Sequence, residues 1–293
     1  MLGTLPKRHQ AGRAAQAPMK STLLKVLLLV APLAACGGGG GADPVPVPPA
    51  PVPTYTLVWS DEFDVDGLPD ATKWDYDTSA NRTGWFNHEL QYYARDRAEN
   101  ARVSGGKLII TARTEALSSR ADWGGQQYSS ARLVTRGRAS WTYGKMEIRA
   151  RMPCGAGTWP AIWTLGTGGA WPADGEIDIM EQVGRDPTRI LGTLHTTLSG
   201  GTGTGGQIQI ADACTAFHNY QLTWTKDEIR ISVDGTDYYR MANPGTGRPA
   251  WPFDAPQYLL LNLAIGGDLG GAVNDAIFPV TFEVDYVRVY QLL

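Results

Sequence analysis

Three carboxylates sit inside an otherwise apolar run, Trp171-Pro172-Ala173-Asp174-Gly175-Glu176-Ile177-Asp178-Ile179-Met180-Glu181. Burying an unpaired charge is costly, so Glu176, Asp178 and Glu181 set among Ile177, Ile179 and Met180 point to a use for them. In a strand, Glu176 and Asp178 are two apart and share a face. Strict alternation sends Glu181 to the other face. One extra residue, a β-bulge around Ile179-Met180, returns it and puts three acids in one row. Two carboxyls flanking a glycosidic bond, one as acid and one as nucleophile, are what sugar-bond hydrolysis uses. Negative charge and apolar neighbours raise a carboxyl's pKa and keep it protonated as the acid. A row of acids also occurs in calcium sites and on solvated edge strands. Calcium sites prefer flexible Asp/Asn/Gly loops, and edge strands seldom mix acids with Ile-Ile-Met.

The elements that must hold this row read as strands. Apolar residues take every second position in Met146-Glu147-Ile148-Arg149-Ala150-Arg151-Met152. Tyr220, Leu222 and Trp224 alternate with Gln221 and Thr223; after a turn at Lys226-Asp227 the pattern resumes with Ile229, Ile231 and Val233, ending at the turn Asp234-Gly235. Further strands are expected at residues 107–113, 130–135, 158–165, 175–182, 190–196, 257–264 and 281–291. No stretch beyond Tyr55 has helical periodicity. Many strands with Gly- and Pro-rich turns and no composition break predict one all-β domain over residues 55–293. The architecture is a β-sandwich or jelly roll with one curved face as a cleft. Ten Trp and 12 Tyr against six Phe add flat faces with polar edges, suited to stacking on sugars as well as to strand cores.

The N-terminus reads as an address. Leu23–Ala35 is an apolar run behind lysines, too short to span a bilayer comfortably, and it ends in Leu33-Ala34-Ala35-Cys36. This resembles a bacterial lipobox, in which the Cys is lipidated and opens the mature chain. Residues 1–36 are thus expected to be a signal peptide with its lipidation Cys. Residues 37–54, five glycines and then a Pro-rich run, form a tether whose Pro-rich part extends at ~3.1 Å per residue. The expected location is outside the cytoplasm, on a bacterial cell envelope or secreted, with membrane contact through the lipid alone. After export, an even pair of cysteines, Cys154 and Cys214, favours a disulfide over two free thiols. Residues 1–35 hold five of the 26 basic residues and no acid, so the body carries 21 against 29 acids. That balance argues against nucleic acid and allows a neutral polysaccharide.

The acid run resembles the laminarinase-like members of glycoside hydrolase family 16, whose motif reads E-x-D-x-x-E. The resemblance covers Leu57 to Gln291 and includes Val58-Trp59-Ser60-Asp61-Glu62-Phe63, Asn87-His88-Glu89-Leu90-Gln91-Tyr92-Tyr93 and Ser140-Trp141-Thr142-Tyr143-Gly144-Lys145. It continues through Gly157-Thr158-Trp159-Pro160-Ala161-Ile162-Trp163, Phe217-His218-Asn219-Tyr220 and Leu261-Asn262-Leu263-Ala264-Ile265-Gly266-Gly267. It implies a concanavalin-like jelly-roll sandwich with the cleft on its concave face, and a retaining endo-hydrolase of β-1,3-glucan. Glu176 would be the nucleophile, Glu181 the acid and base, and Asp178 the residue that tunes Glu176. Trp159, Trp163 and Trp171 would stack on sugars, although one or two of them can be core. Asn87, His195 and Asn262 would hydrogen-bond to sugar, and His195, at a strand end, suits a packed histidine equally. No cofactor is required, and a structural calcium is implied at Glu62, Gly106 and Asp285. The partner is a β-glucan and the chain a monomer. The sequence departs from the family pattern at Phe86 and His88, near the glycone side, which bears on chain-length preference.

Other signals are weaker. Gly201-Thr202-Gly203-Thr204-Gly205-Gly206 fits G-x-G-x-x-G, but a strand-like Gln207–Ile210 follows where a dinucleotide site needs a helix. No G-x-S-x-G elbow occurs, and the four histidines lack zinc-ligand spacing. Mixed-linkage glucanases or galactan hydrolases on the same fold are the competing enzymes. A non-catalytic glucan-binding protein would be expected to lack one or both glutamates, and both are present.

Overall fold

Alternating burial builds the sheets. In Gly144–Arg151 every second residue is buried, which gives this strand one core face and one wet face. Gln257–Ile265 is buried at all nine positions, as a strand covered on both sides must be. The computed structural model describes residues 54–292. The signal sequence, Cys36 and the tether up to residue 53 lie outside the described residues.

Two sheets result. One has seven strands in the order Thr204–Gln209, Asp186–His195, Glu176–Val183, Thr158–Gly166, Gln257–Ile265, Arg132–Val134, Asp75–Tyr76. All its neighbours are antiparallel. The other sheet has ten strands, with Gly144–Arg151 between His218–Trp224 and Val280–Leu292. Met146 and Ile148 from the larger sheet join Ile162, Ile177 and Leu261 from the smaller in one core, each at most 2% exposed. Fully burying side chains of this kind stabilises the fold by roughly 1.5–3 kcal/mol apiece. Helix among the described residues is limited to Gly267–Gly270 and three 3-10 turns, and none of it is long and apolar enough to cross a membrane.

This is the all-β sandwich expected from alternation, with two informative differences. The strand expected over residues 130–135 is divided: Tyr128–Ser130 joins the larger sheet and Arg132–Val134 the smaller. The chain turns a corner at Ala131, which is fully buried. Thr236–Ala242 is an edge strand with no buried residue, so it leaves no alternation to read. Cys154 and Cys214 are joined by a disulfide with their Cα atoms 5.8 Å apart, closing a loop across 60 positions.

Candidate active site

The ladder registers on both sides of Glu176–Val183, here called the acid strand, place its side chains. Glu176 pairs with Leu165 and His195, and Asp178 pairs with Trp163 and Thr193. The next pairs are Met180 with Ile162 and Glu181 with Ala161 on one side, and Glu181 with Leu191 on the other. The acid strand therefore carries one extra residue at Ile179-Met180, a β-bulge. Ile177, Ile179 and Met180 are wholly buried in the intersheet core. Glu176, Asp178 and Glu181 are left together on the opposite face. Without the extra residue Glu181 would enter that core. Burying a lone carboxylate costs far more than an interrupted ladder bond, which is worth about 1 kcal/mol.

The bulge has a specific support. The Tyr238 hydroxyl, from the edge strand of the other sheet, donates to the Ile179 carbonyl at 3.0 Å, with the Leu191 carbonyl 3.3 Å away. A carbonyl freed by the bulge would otherwise be buried without a partner. Tyr238→Phe is expected to cost roughly 1–3 kcal/mol, the usual penalty for such an unmet group. Chemical denaturation would measure this, and an unchanged midpoint would show that the bulge holds without Tyr238.

Each acid has its own surroundings. Trp159 Nε1 donates to Glu181 Oε1 at 2.9 Å, and Trp171 Nε1 donates to Glu176. Asp178, 3% exposed, is hydrogen-bonded to Glu176 and lies 3.2 Å from His195 Nε2. Burial, and then the charge of Asp178, push the Glu176 carboxyl well above its usual range; His195 and the Trp171 N–H act against this. Burial and the charge of Glu181 push Asp178 well up. Glu181 is raised to about 7, mainly by burial and against the Trp159 hydrogen bond. Close acids of this kind titrate as a unit and do not all ionise together. The hydrogen bond between them raises Glu176 and lowers Asp178, so one proton shared by this pair and another on Glu181 leave a single negative charge on the row.

The cleft continues along the sheet. Trp163 Nε1 donates to Asn262 Oδ1 at 2.7 Å, and Asn262 Nδ2 donates to the Tyr93 hydroxyl at 3.0 Å. Trp159 and Trp163 are half-buried and Trp171 is 54% exposed, whereas Trp74, Trp85, Trp141, Trp224 and Trp251 are core. The three Trp named for sugar contact are thus the ones with faces left open beside the acids. Asn87, exposed and at φ 57°, reaches the row only indirectly, by hydrogen-bonding Glu89.

A protein with this arrangement has relatives. The model of the "Glycosyl hydrolases family 16" matches residues 89–287. The chain belongs to glycosyl hydrolase family 16. A β-glucanase from Rhodothermus marinus is 53% identical over 252 residues, covering 81% of this chain and 85% of that protein. The X-ray structure of the laminarinase from Rhodothermus marinus superposes with a TM-score of 0.77 at 52% identity, covering 83% of this chain and all of that one. A non-specific endo-β-1,3(4)-glucanase from family GH16 gives 0.79 at 53%, covering 83% and 95%. Family 16 membership makes this chain a glycoside hydrolase.

Glu176, Asp178 and His195 each offer a ligand atom within 4.8 Å of the others, spacing that could hold a cation. In this family 16 enzyme those atoms already bond to one another and to a Trp N–H, so the acids have partners as they stand. Glu62, Gly106 and Asp285, named for a structural calcium, have the following neighbours. Glu62 accepts two hydrogen bonds from Arg288 (3.0 and 2.8 Å), and Asp285 accepts one from Arg149 (2.5 Å). Guanidinium groups thus occupy both carboxylates, and Gly106 sits in the turn between Ala101–Val103 and Leu108–Thr114.

Residues beyond the sequence reading complete the site. Glu89 is a fourth acid whose charge reaches Glu181; its own carboxyl is raised by burial and bonded to Gln91 Nε2 at 2.8 Å. Arg132 lies between Trp85 and Trp163, its Cζ 5.1 and 4.6 Å from their ring centres. A signal for Arg132 was present, a charged residue beside Ala131, Leu133 and Val134, whereas Glu89 sits among the polar residues Asn87, His88 and Gln91.

Proposed function

We propose that this chain is an endo-acting, retaining β-1,3-glucanase of laminarin-type glucans, working with carboxylates alone. The observation that carries the reading is the bulged row, with a protonated Glu181 on the same face as an ionisable Glu176. Glu181 protonates the leaving glycosidic oxygen while Glu176 attacks the anomeric carbon and forms a glycosyl-enzyme. Glu181, now a base, takes a proton from water, which displaces Glu176 and restores the starting configuration. The two carboxyls must lie about 5–5.5 Å apart for this double displacement. Asp178 shares a proton with Glu176 in the resting enzyme and keeps it as Glu176 attacks the anomeric carbon. Trp159, Trp163 and Trp171 stack on sugar rings; Asn262 and His195 bond sugar hydroxyls, and Asn87 reaches them from the cleft rim.

The Rhodothermus marinus relatives, named as a β-glucanase and a laminarinase, support this substrate class. The endo-β-1,3(4)-glucanase neighbour, described as non-specific, favours some activity on mixed linkages as a second reading. The lipobox-like Leu33-Ala34-Ala35-Cys36 supports an exported lipoprotein, and the Gly/Pro-rich segment a tether that lets a monomeric domain reach bulky glucan.

The test is a reducing-end assay on laminarin, lichenan and agarose. Strong hydrolysis of laminarin and weaker hydrolysis of lichenan are expected. Activity on agarose alone would refute the substrate assignment.

A further inference from the structure

The acid run carries a fourth carboxylate that the double displacement leaves unused. Asp174 stands in the loop between Thr158–Gly166 and the acid strand, two residues before Glu176. It is 9% exposed, and a buried charge of this kind needs partners. They are in place. Asp174 Oδ2 accepts the Ala170 N–H at 2.7 Å, and the Arg248 guanidinium donates to Oδ1. The backbone of the same residue adds two bonds. Its N–H donates to the Ala170 carbonyl at 2.7 Å, and its carbonyl accepts from Gln257 Nε2 at 3.0 Å. The turn from Ala170 to Asp174 is therefore closed through one residue, and Trp171 lies within it. Gly168 leaves room for the carboxylate, since a Cβ there would stand 2.8 Å from Asp174 Cγ.

Trp171 has few holds of its own. Its ring is 54% exposed and tilted against His195 with centroids 5.9 Å apart, and its N–H donates to Glu176. A hydrogen bond aimed at a reacting group keeps its geometry, to within about 0.5 Å, only if the backbone behind the donor is fixed. Arg248 ties that backbone to a second loop. The carbonyl of its neighbour Pro249 accepts the Leu198 N–H at 2.8 Å, from the loop that follows His195.

We propose that Asp174, anchored by Arg248, is a positioning residue: it fixes the turn that holds the Trp171 N–H on Glu176. The proposal rests on the glucanase reading and deepens it, adding a device that aims the nucleophile without touching the sugar.

A double-mutant cycle tests it. On laminarin, Asp174→Ala should lower kcat roughly tenfold, the order of one hydrogen bond to a charged group. Trp171→Phe keeps a flat ring and removes the N–H. In that background Asp174→Ala should cost less than about twofold more, because the two act through one contact. The pH profile gives a readout that loss of fold would not move. The Trp171 N–H holds the Glu176 carboxyl down, against Asp178 and alongside His195, the charged groups that face it. The acid limb of kcat/KM should accordingly move up by about one pH unit in both single variants and no further in the double. Arg248→Ala, at a largely exposed side chain, should shift kcat and the limb in the same direction, and Arg248→Lys should restore part of both. Additive losses, or an acid limb that stays in place, would overturn the positioning role and leave the glucanase reading intact. Should the wild type leave laminarin uncut, the glucanase reading fails and the proposal with it.

Discussion

Glu176→Gln is expected to lower kcat on laminarin by at least roughly 10⁴-fold, the order of loss when a nucleophile that works as part of a unit is removed. The reason is geometric. Glu176 takes the Trp171 N–H and bonds Asp178, so its oxygens are aimed by two fixed neighbours. Gln keeps the shape and can still accept the indole N–H, but it cannot form a stable ester with the sugar. KM should therefore change little. A second variant separates loss of the nucleophile from loss of fold. In Glu176→Ala, added azide should restore turnover of an aryl β-glycoside with an activated leaving group and yield the α-glycosyl azide. Retained laminarin activity in Glu176→Gln, or a β-azide from Glu176→Ala, would assign the attack to another residue.

Glu181→Gln is expected to separate two kinds of substrate. Polysaccharide, whose leaving oxygen needs a proton, should be cut about 10²–10⁴-fold more slowly, the usual contribution of a general acid. An aryl glycoside with a good leaving group should still form the glycosyl-enzyme rapidly, and azide should then release the β-glycosyl azide. In the wild type, Glu181 must be protonated for the first step, and its carboxyl is raised to about 7. Activity on laminarin should accordingly fall as pH rises through about 7, and Glu181→Gln should lack that limb.

The same residue makes a stability prediction of the opposite sense. Its unfolded-state value is near 4.5 and its folded value near 7. Between these pH values the unfolded chain releases a proton that the folded chain keeps, so stability falls as pH rises across that window. Glu181→Gln removes this penalty and should raise Tm at neutral pH by a few degrees, at about 2–4 °C per kcal/mol for a domain of this size. A Tm that drops at pH 7 would mean that the carboxylate supports the fold there.

How far the primary structure reached depended on the kind of information needed. Alternation along Met146–Met152 and Tyr220–Trp224 marked strands because one face is core and the other wet. Edge strands such as Thr236–Ala242 lack that contrast and went unread. The acid row was legible because charge among Ile177, Ile179 and Met180 conflicts with burial, and a single bulge resolves the conflict. Glu62 and Asp285 show the converse. Their segments matched a pattern, but Arg288 and Arg149, distant or unremarkable in sequence, hold their carboxylates.

The chain's own order of residues thus determined the β class, the site of the bulge and which acids share a face, since each follows from local periodicity and the cost of buried charge. Tertiary structure alone decided that Tyr238 braces the bulge from the other sheet and that Glu89 sits close enough to act on Glu181. It also decided that Arg132 lies between Trp85 and Trp163. Those relations join residues far apart in sequence, and only the packing and register of the sheets bring them within bonding distance.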